Sequence, residues 1–266
     1  MRFLLIAMAV VAAVMAYHLP ADSKTGAGLA LFVLIGLLWL SEAIPLTFTA
    51  LLVPVLGVGL GLANLDSALA GFAHPVVALF LGGFALAAAL SEHGIDRWLA
   101  QRLLTLAGGR ALPAALLLAV TTALLSMWIS NTATTAMMLP IALGLSAPLA
   151  DSHPRYRVFL LLALAWSANI GGMAPLVGSP PNAIAAAALG WSFNDWLAVG
   201  IPAFLLLFPL ALLVLFYTTR PEANLPTVDV KTILPFPTSP GAIMTLAIFL
   251  LTVGLWVFGA PLGDRL

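Results

Sequence analysis

The chain has 266 residues, of which 62% are hydrophobic and 8% are charged, and its mean hydropathy is +1.12. Soluble domains carry about 25% charged residues, so this composition predicts a protein whose surface largely faces lipid. Ten basic and ten acidic side chains cancel, which excludes a nucleic-acid partner, and the absence of cysteine together with four scattered histidines indicates no transition-metal site or cofactor.

Nine apolar stretches are candidate membrane spans because each approaches the length that crosses the hydrocarbon core. They cover residues 3–20, 27–41, 44–63, 75–91, 111–129, 131–149, 156–189, 196–219 and 241–260. The first stretch also fits a signal peptide, but the polytopic remainder of the chain favours a first transmembrane helix. Residues 92–110 alternate charged and apolar positions at helical spacing and predict an amphipathic helix on the membrane surface.

The distribution of basic residues predicts one orientation in the membrane. If residues 111–149 enter and leave on the same side, Lys24 and Arg265 lie on one side and the other basic residues lie opposite. The larger group consists of Arg2, Arg97, Arg102, Arg110, Arg155, Arg157, Arg220 and Lys231. We therefore expect a multi-pass protein of the inner or plasma membrane with a cytoplasmic N-terminus and a soluble, proline-rich connector over residues 220–240.

Six uncharged polar side chains interrupt the apolar sequence between residues 126 and 135. Unpaired polar groups are costly in hydrocarbon, so the cluster indicates a cavity lined by protein. Two interpretations remain open: a re-entrant hairpin that dips partway into the bilayer, or two spanning helices joined by a surface turn. For Thr134 and Thr135 we expect only a hydrogen bond to the carbonyl four residues earlier.

A second polar break interrupts residues 156–189, at 171–175 and again at 178–182. The pair Pro180-Pro181 cannot continue a helix, because proline lacks an N–H and its ring clashes with the preceding turn. Successive breaks offer carbonyl oxygens to a cation and helix N-terminal amides to an anion. The sequence therefore predicts a site for sodium and a carboxylate near Asn131. Glu42, beside Pro45, is expected to have a structural role rather than a role in proton coupling.

Five segments of the chain have a distinctive composition, and in chain order they are Leu38-Trp39-Leu40-Ser41-Glu42-Ala43-Ile44-Pro45-Leu46, His74-Pro75-Val76-Val77-Ala78-Leu79-Phe80-Leu81-Gly82-Gly83-Phe84, Ser130-Asn131-Thr132, Asn169-Ile170-Gly171-Gly172-Met173 and Gly178-Ser179-Pro180-Pro181-Asn182. These segments resemble, in the same order, signatures of the divalent anion–sodium symporter family, which includes dicarboxylate, citrate and sulfate carriers. The resemblance covers residues 38–182.

The resemblance implies an all-α polytopic membrane protein, the first inverted repeat of an elevator-type transporter with a re-entrant helical hairpin and a broken helix, in a homodimer. It implies scaffold helices and an interfacial helix over 1–110, the hairpin of the transport domain over 111–150, and its remaining helices over 151–219. A cytoplasmic linker over 220–240 and the first helix of a second, truncated repeat over 241–266 would follow. The chain contains one Ser-Asn-Thr motif where the family has two such motifs, so we expect residues 1–266 to be a fragment that does not transport alone.

The resemblance also implies residue roles. Ser126, Ser130, Asn131 and the backbone of Gly178 correspond to sodium ligands, and Ser130, Asn131, Thr132 and Ser179 to substrate-binding residues. The family commonly has threonine at the position of Ser179, which keeps the hydroxyl, and a Gly-Thr pair where this chain has Ala174-Pro175.

The implied function is sodium-coupled transport of di- or tricarboxylates, with sodium, a small dicarboxylate anion and the lipid bilayer as partners. A dicarboxylate exchanger and a sulfate or oxyanion carrier remain alternatives, as does a membrane accessory subunit that does not transport. An intramembrane enzyme is disfavoured because the sequence lacks the HExxH and GxSxG motifs and an acidic pair within its spans.

Overall fold

The computed structural model describes residues 1–73, 75–227 and 235–263. His74, residues 228–234 of the predicted connector and residues 264–266 lie outside this description. Regular structure in the described residues is helical, apart from one isolated β-bridge between Arg110 and Thr227, which agrees with the predicted all-α class. Residue contacts divide the chain into two compact units, Met1–Val77 and Ala78–Leu266.

The first unit begins with a tightly packed helical hairpin. Its helices are α1 (Arg2–Tyr17), α2 (Ser23–Ser41), α3 (Leu46–Gly59) and α4 (Leu65–Ala70). Asp22 starts α2 by accepting a hydrogen bond from the Thr25 amide at 2.8 Å. Gly26 lets α2 approach the end of α1, because a Cβ at this position would collide with the Tyr17 carbonyl oxygen. Local capping and a small residue therefore set the geometry of this hairpin.

Helix α2 ends at Ser41, where the predicted span 27–41 also ends, and Pro45 disfavours a helical conformation at Ile44. Glu42 follows in the left-handed conformation with φ of 47°, and its backbone N–H donates to the Trp39 carbonyl. The Glu42 side chain is exposed. These features support the expected structural role of Glu42 as the residue that terminates α2.

The second unit contains the broken segments. Its helices are α5 (Pro75–Glu92), which starts in the first unit, α6 (Ile95–Leu104), α7 (Ala111–Ser126), α8 (Asn131–Ser146), α9 (Pro154–Gly171), α10 (Pro180–Leu189), α11 (Phe193–Thr219) and α12 (Pro240–Gly263). Helix α9 ends and α10 begins at the two predicted breaks.

Five segments of the described chain are long and apolar enough to cross a membrane, which supports a multi-pass protein. They are Ser23–Ser41, Leu65–Glu92, Asn131–Leu149, Phe193–Thr219 and Pro240–Phe258. Helices α1, α3 and α7 are apolar but shorter.

Helix α7 lies in the core of the second unit and packs against α8 and α9. Ala114, Ala115 and Ala119 are buried along it, and such small side chains allow neighbouring helices to approach closely. The Tyr156 hydroxyl donates to the Ala111 carbonyl at 2.8 Å, which joins the starts of α7 and α9. At the other end Gly171 contacts Ala123, so α7 and α9 run in the same direction.

Helix α6 is amphipathic, as residues 92–110 predict, although it is confined to Ile95–Leu104. Its buried face contains Ile95, Ala100 and Leu104. Asp96 is also buried and pairs with the Ser91 hydroxyl, which its charge alone did not predict. The interfacial position of α6 in a membrane stays a prediction.

Candidate functional site

The site is centred on the turn of residues 127–130 between α7 and α8. Helix α8 begins at Asn131, and Ser130 is its N-cap: the Ser130 hydroxyl accepts a hydrogen bond from the Ala133 amide at 3.3 Å. Serine is a favoured N-cap because its short side chain reaches the free amides of the first turn. The first amides of any helix have no intrahelical acceptor, so this end of α8 presents donors and partial positive charge. Ser130 and Thr132 are exposed beside it.

Three oxygen atoms meet at the base of this turn. The Ser126 Oγ lies 2.7 Å from Asn131 Oδ1 and 2.6 Å from the Ala168 carbonyl oxygen. A hydroxyl has one proton, so Ser126 can donate to only one of these two acceptors at a time. The Ser126 side chain is fully buried. One of the two oxygen–oxygen contacts therefore has no hydrogen bond. A cation bound among these oxygens would offset the repulsion between their lone pairs.

The second break packs directly onto the first. A Cβ on Gly172 would collide with Asn131 Oδ1, and a Cβ on Gly178 would lie 2.5 Å from the Gly172 carbonyl oxygen. At Gly178 the neighbour is backbone, so a side chain there would force the chain apart, whereas at Gly172 a side chain would displace the Asn131 amide. Gly172 thus contacts both Asn131 and Gly178.

The Asn182 side chain forms hydrogen bonds with the backbone of the second break. Its Nδ2 donates to the Gly172 carbonyl at 2.8 Å and to the Pro175 carbonyl at 2.9 Å. The side chain is buried, and its amide satisfies the Gly172 carbonyl and adds a second hydrogen bond to the Pro175 carbonyl, which also accepts from the Gly178 amide. Asn182 therefore stabilises the irregular backbone between α9 and α10.

The predicted site residues are brought together to different degrees. Ser126, Ser130, Asn131 and Thr132 share the hairpin turn, and Gly178 is buried one residue contact away. Ser179 is the N-cap residue of α10 but makes no side-chain capping hydrogen bond. Their roles as sodium or substrate ligands stay predictions.

Sequence reasoning missed two participants, the Ala168 carbonyl and the Asn169 side chain. Asn131 Nδ2 donates to Asn169 Oδ1 at 3.2 Å. Asn169 was visible in the sequence as the first residue of the segment Asn169-Ile170-Gly171-Gly172-Met173, just before the second break, but no local signal links it to Asn131. The Ala168 backbone carries no side-chain signal at all.

Among the residues that the structure describes, the hydroxyls of Thr134 and Ser167 are also buried, and neither has a hydrogen-bond partner there. The prediction that Thr134 donates to the carbonyl four residues earlier is wrong. The neighbouring helix shows the expected pattern: Thr121 and Thr122 donate to the Leu117 and Leu118 carbonyls, both at 2.7 Å. Thr134 lies on the buried face of α8, together with Met138 and Ala142.

Comparison with known proteins places the chain among transporters. The model of the CitMHS family, described as citrate transporters, matches residues 36–264. An uncharacterized transporter of Haemophilus influenzae is 45% identical over 246 residues, which are 92% of this chain and 53% of that protein. An uncharacterized transporter of Methanocaldococcus jannaschii is 39% identical over 237 residues, 89% of this chain and 54% of that protein.

A third relative has a more specific description. The sodium-dependent dicarboxylate transporter SdcS of Staphylococcus aureus is 32% identical over 195 residues, which are 67% of this chain and 37% of that protein. The chain thus spans about half the length, or less, of these relatives. The family and the relatives are transporters and not enzymes, as predicted. The chain belongs to the citrate transporter family, in agreement with the predicted membership among divalent anion–sodium symporters.

Proposed function

We propose that the chain forms the sodium site and part of the carboxylate site of a sodium-coupled carrier for di- and tricarboxylates such as succinate. The observation that carries this proposal is the group of Ser126, Asn131 and Ala168 oxygens. The Ser126 hydroxyl makes a short contact with each of the other two oxygens, but its single proton can form a hydrogen bond in only one of these contacts. Sodium compensates the surplus of lone pairs. The ligands are uncharged, as suits a monovalent cation bound together with an anion.

The substrate carboxylate binds at the start of α8. Helix N-termini bind anions because their amides point outward and the helix dipole favours negative charge. The exposed hydroxyls of Ser130 and Thr132 lie at this end of the helix and add hydrogen bonds. Ser179, at the start of α10, is a further donor. Cation and anion thus neutralise each other at neighbouring sites.

The hairpin enters the membrane without crossing it. Helix α7 has 16 residues, which at 1.5 Å per residue is about 24 Å, shorter than a hydrocarbon core of about 30 Å. A turn this polar is tolerated at that depth where it lines a cavity in the protein. The length of α7 and the polarity of the turn support the re-entrant interpretation, whereas the second arm, Asn131–Leu149, is by itself long enough to span.

The remaining organisation follows the same proposal. Residues 1–110 form the scaffold, residues 111–219 the transport domain that moves as an elevator, and residues 220–240 a cytoplasmic linker before a second repeat. The cytoplasmic N-terminus follows from the excess of basic residues on one side of the predicted topology. The carrier is a homodimer. The printed description of SdcS supports sodium coupling and a dicarboxylate substrate.

Sodium binding to the purified chain in detergent tests the proposal. A ligand at a hundred times its Kd stabilises a protein by about 2.7 kcal/mol, so sodium should raise the unfolding temperature relative to potassium at equal ionic strength. Ser126→Ala should abolish this difference. Ser146→Ala is the matched control: Ser146 is equally buried but donates to the Leu143 carbonyl at the far end of α8, so its sodium response should equal that of the unmodified chain.

Substrate class is tested in the same assay. In the presence of sodium, succinate or citrate should add further stabilisation, whereas sulfate should not. Stabilisation by sulfate alone would favour an oxyanion carrier, and stabilisation by succinate without sodium would favour an exchanger. A chain that responds to none of these ions would contradict the proposed site.

A further inference from the structure

We infer that Asn169 is a positioning residue that determines which atom of the Asn131 amide faces the cation. The inference rests on the proposed sodium site and assigns a role to a side chain outside the group of predicted ligands. A side-chain amide has an oxygen on one branch and a nitrogen on the other, and a half-turn exchanges them. A cation site requires the oxygen.

Ser126 does not favour the observed orientation of Asn131. The Ala168 carbonyl, 2.6 Å away, can only accept, and when Ser126 donates its single proton to it, the Ser126 Oγ faces the Asn131 amide at 2.7 Å with lone pairs, which favour the amide nitrogen. Some other group must favour the amide oxygen. The opposite branch of the amide has a defined partner, because Asn131 Nδ2 lies 3.2 Å from Asn169 Oδ1.

The orientation of Asn169 is in turn set by a backbone carbonyl. Its Nδ2 donates to the Ala165 carbonyl at 3.1 Å, one turn earlier in α9. A carbonyl can only accept, so Asn169 must direct its nitrogen to Ala165 and its oxygen to Asn131. Asn131 must then donate to Asn169 and direct its own oxygen to Ser126. The Ala165 carbonyl thus fixes the orientation of Asn169, and Asn169 fixes that of Asn131.

The packing around Asn131 supports a fixed side chain. Gly172 contacts its amide so closely that a Cβ would lie 3.1 Å from Asn131 Cγ and collide with Oδ1. The Asn131 amide therefore contacts both Gly172 and Asn169. A flipped amide would direct its NH2 group at the Ser126 oxygen and would leave no Asn131 oxygen there to bind a cation.

The test compares two substitutions of Asn169 that both lose its hydrogen bond to the Ala165 carbonyl. Asn169→Ala and Asn169→Asp both remove the donor to Ala165, but only aspartate keeps an oxygen that accepts from Asn131. In the sodium stabilisation assay, the sodium concentration for half-maximal effect should rise about tenfold in Asn169→Ala. It should stay the same or fall in Asn169→Asp, whose carboxylate also attracts sodium.

A double-substitution cycle separates positioning from folding. Aspartate at position 131 presents an oxygen in either orientation, so Asn169→Ala should have little effect on sodium affinity in an Asn131→Asp background. The inference is overturned if alanine and aspartate at position 169 weaken sodium binding equally, or if Asn169→Ala leaves binding unchanged in a chain that responds to sodium. A chain without any sodium response overturns the proposed function, and this inference with it.

Discussion

Thr134 in α8 has a fully buried hydroxyl that makes no hydrogen bond, whereas the buried hydroxyls of Thr121 and Thr122 in α7 donate to backbone carbonyls. A buried donor without a partner costs about 1–3 kcal/mol. Ser167 has the same property on α9. Both lie within one turn of residues in the oxygen cluster, Thr134 after Asn131 and Ser167 before Ala168. The cost is thus concentrated next to the candidate site.

Replacing Thr134 by valine should stabilise the chain. The side chain keeps its shape and loses an unsatisfied hydroxyl, so we expect a gain of about 1 kcal/mol and a rise of about 3 °C in the unfolding temperature. Thr122→Val is the control, since the Thr122 hydroxyl is bonded to Leu118 and its loss should bring no gain. A less stable Thr134→Val variant would mean that the hydroxyl binds an ion or water in the native protein.

At the scale of helices, the close approach of α9 to α7 aligns the Ser126 hydroxyl with the Ala168 carbonyl. Gly171 makes this approach possible, because a Cβ there would collide with the Ala123 backbone. Most helix boundaries at the site were predictable: Asn131 begins α8, Gly171 ends α9 and Pro180 begins α10. The pairing of α7 with α9 was not, because small residues permit close packing without specifying the partner.

Gly171→Ala should therefore separate α7 from α9. Overpacking in a buried contact costs about 1–3 kcal/mol, and the sodium response should weaken because the Ala168 carbonyl moves away from Ser126. Thermal unfolding with and without sodium measures both effects. Gly144→Ala is the control: nothing lies within 4 Å of a Cβ at Gly144, so alanine should stabilise helix α8 by about 0.5–1 kcal/mol. Equal effects of the two substitutions would contradict this account.

At the scale of the whole chain, the start of the predicted linker contacts the first turn of α9. The Glu222 carboxylate accepts hydrogen bonds from the Arg155 and Tyr156 amides, at 3.2 and 3.0 Å, and from the Arg155 guanidinium at 3.3 Å. It thereby caps the N-terminus of α9 from 67 residues away. Partial burial raises the pKa of the Glu222 carboxyl, but hydrogen bonds from its own backbone amide and from Tyr156 and Arg155 outweigh it and hold the pKa below its usual range.

This contact should make stability depend on pH. Because the pKa is lower in the folded state, the contribution of Glu222 is fully present above the ordinary glutamate pKa and is lost as the pH falls through the lowered value. Glu222→Gln should lower the unfolding temperature at pH 7, and the difference should vanish in acid. Glu92→Gln, at an exposed glutamate, is the control and should have little effect at either pH. An undiminished difference at low pH would contradict the role of the charge.

The sequence alone determined the membrane class, the family resemblance and the helix ends near the site, because proline, glycine and N-cap residues act on backbone a few positions away. Tertiary structure decided the contacts that complete the site: Ser126 with Ala168, Asn131 with Asn169 and Glu222 with α9, over separations of 42, 38 and 67 residues. These contacts depend on which helices pack together and at what distance. That outcome reflects the shapes of whole helix faces, which no short motif encodes.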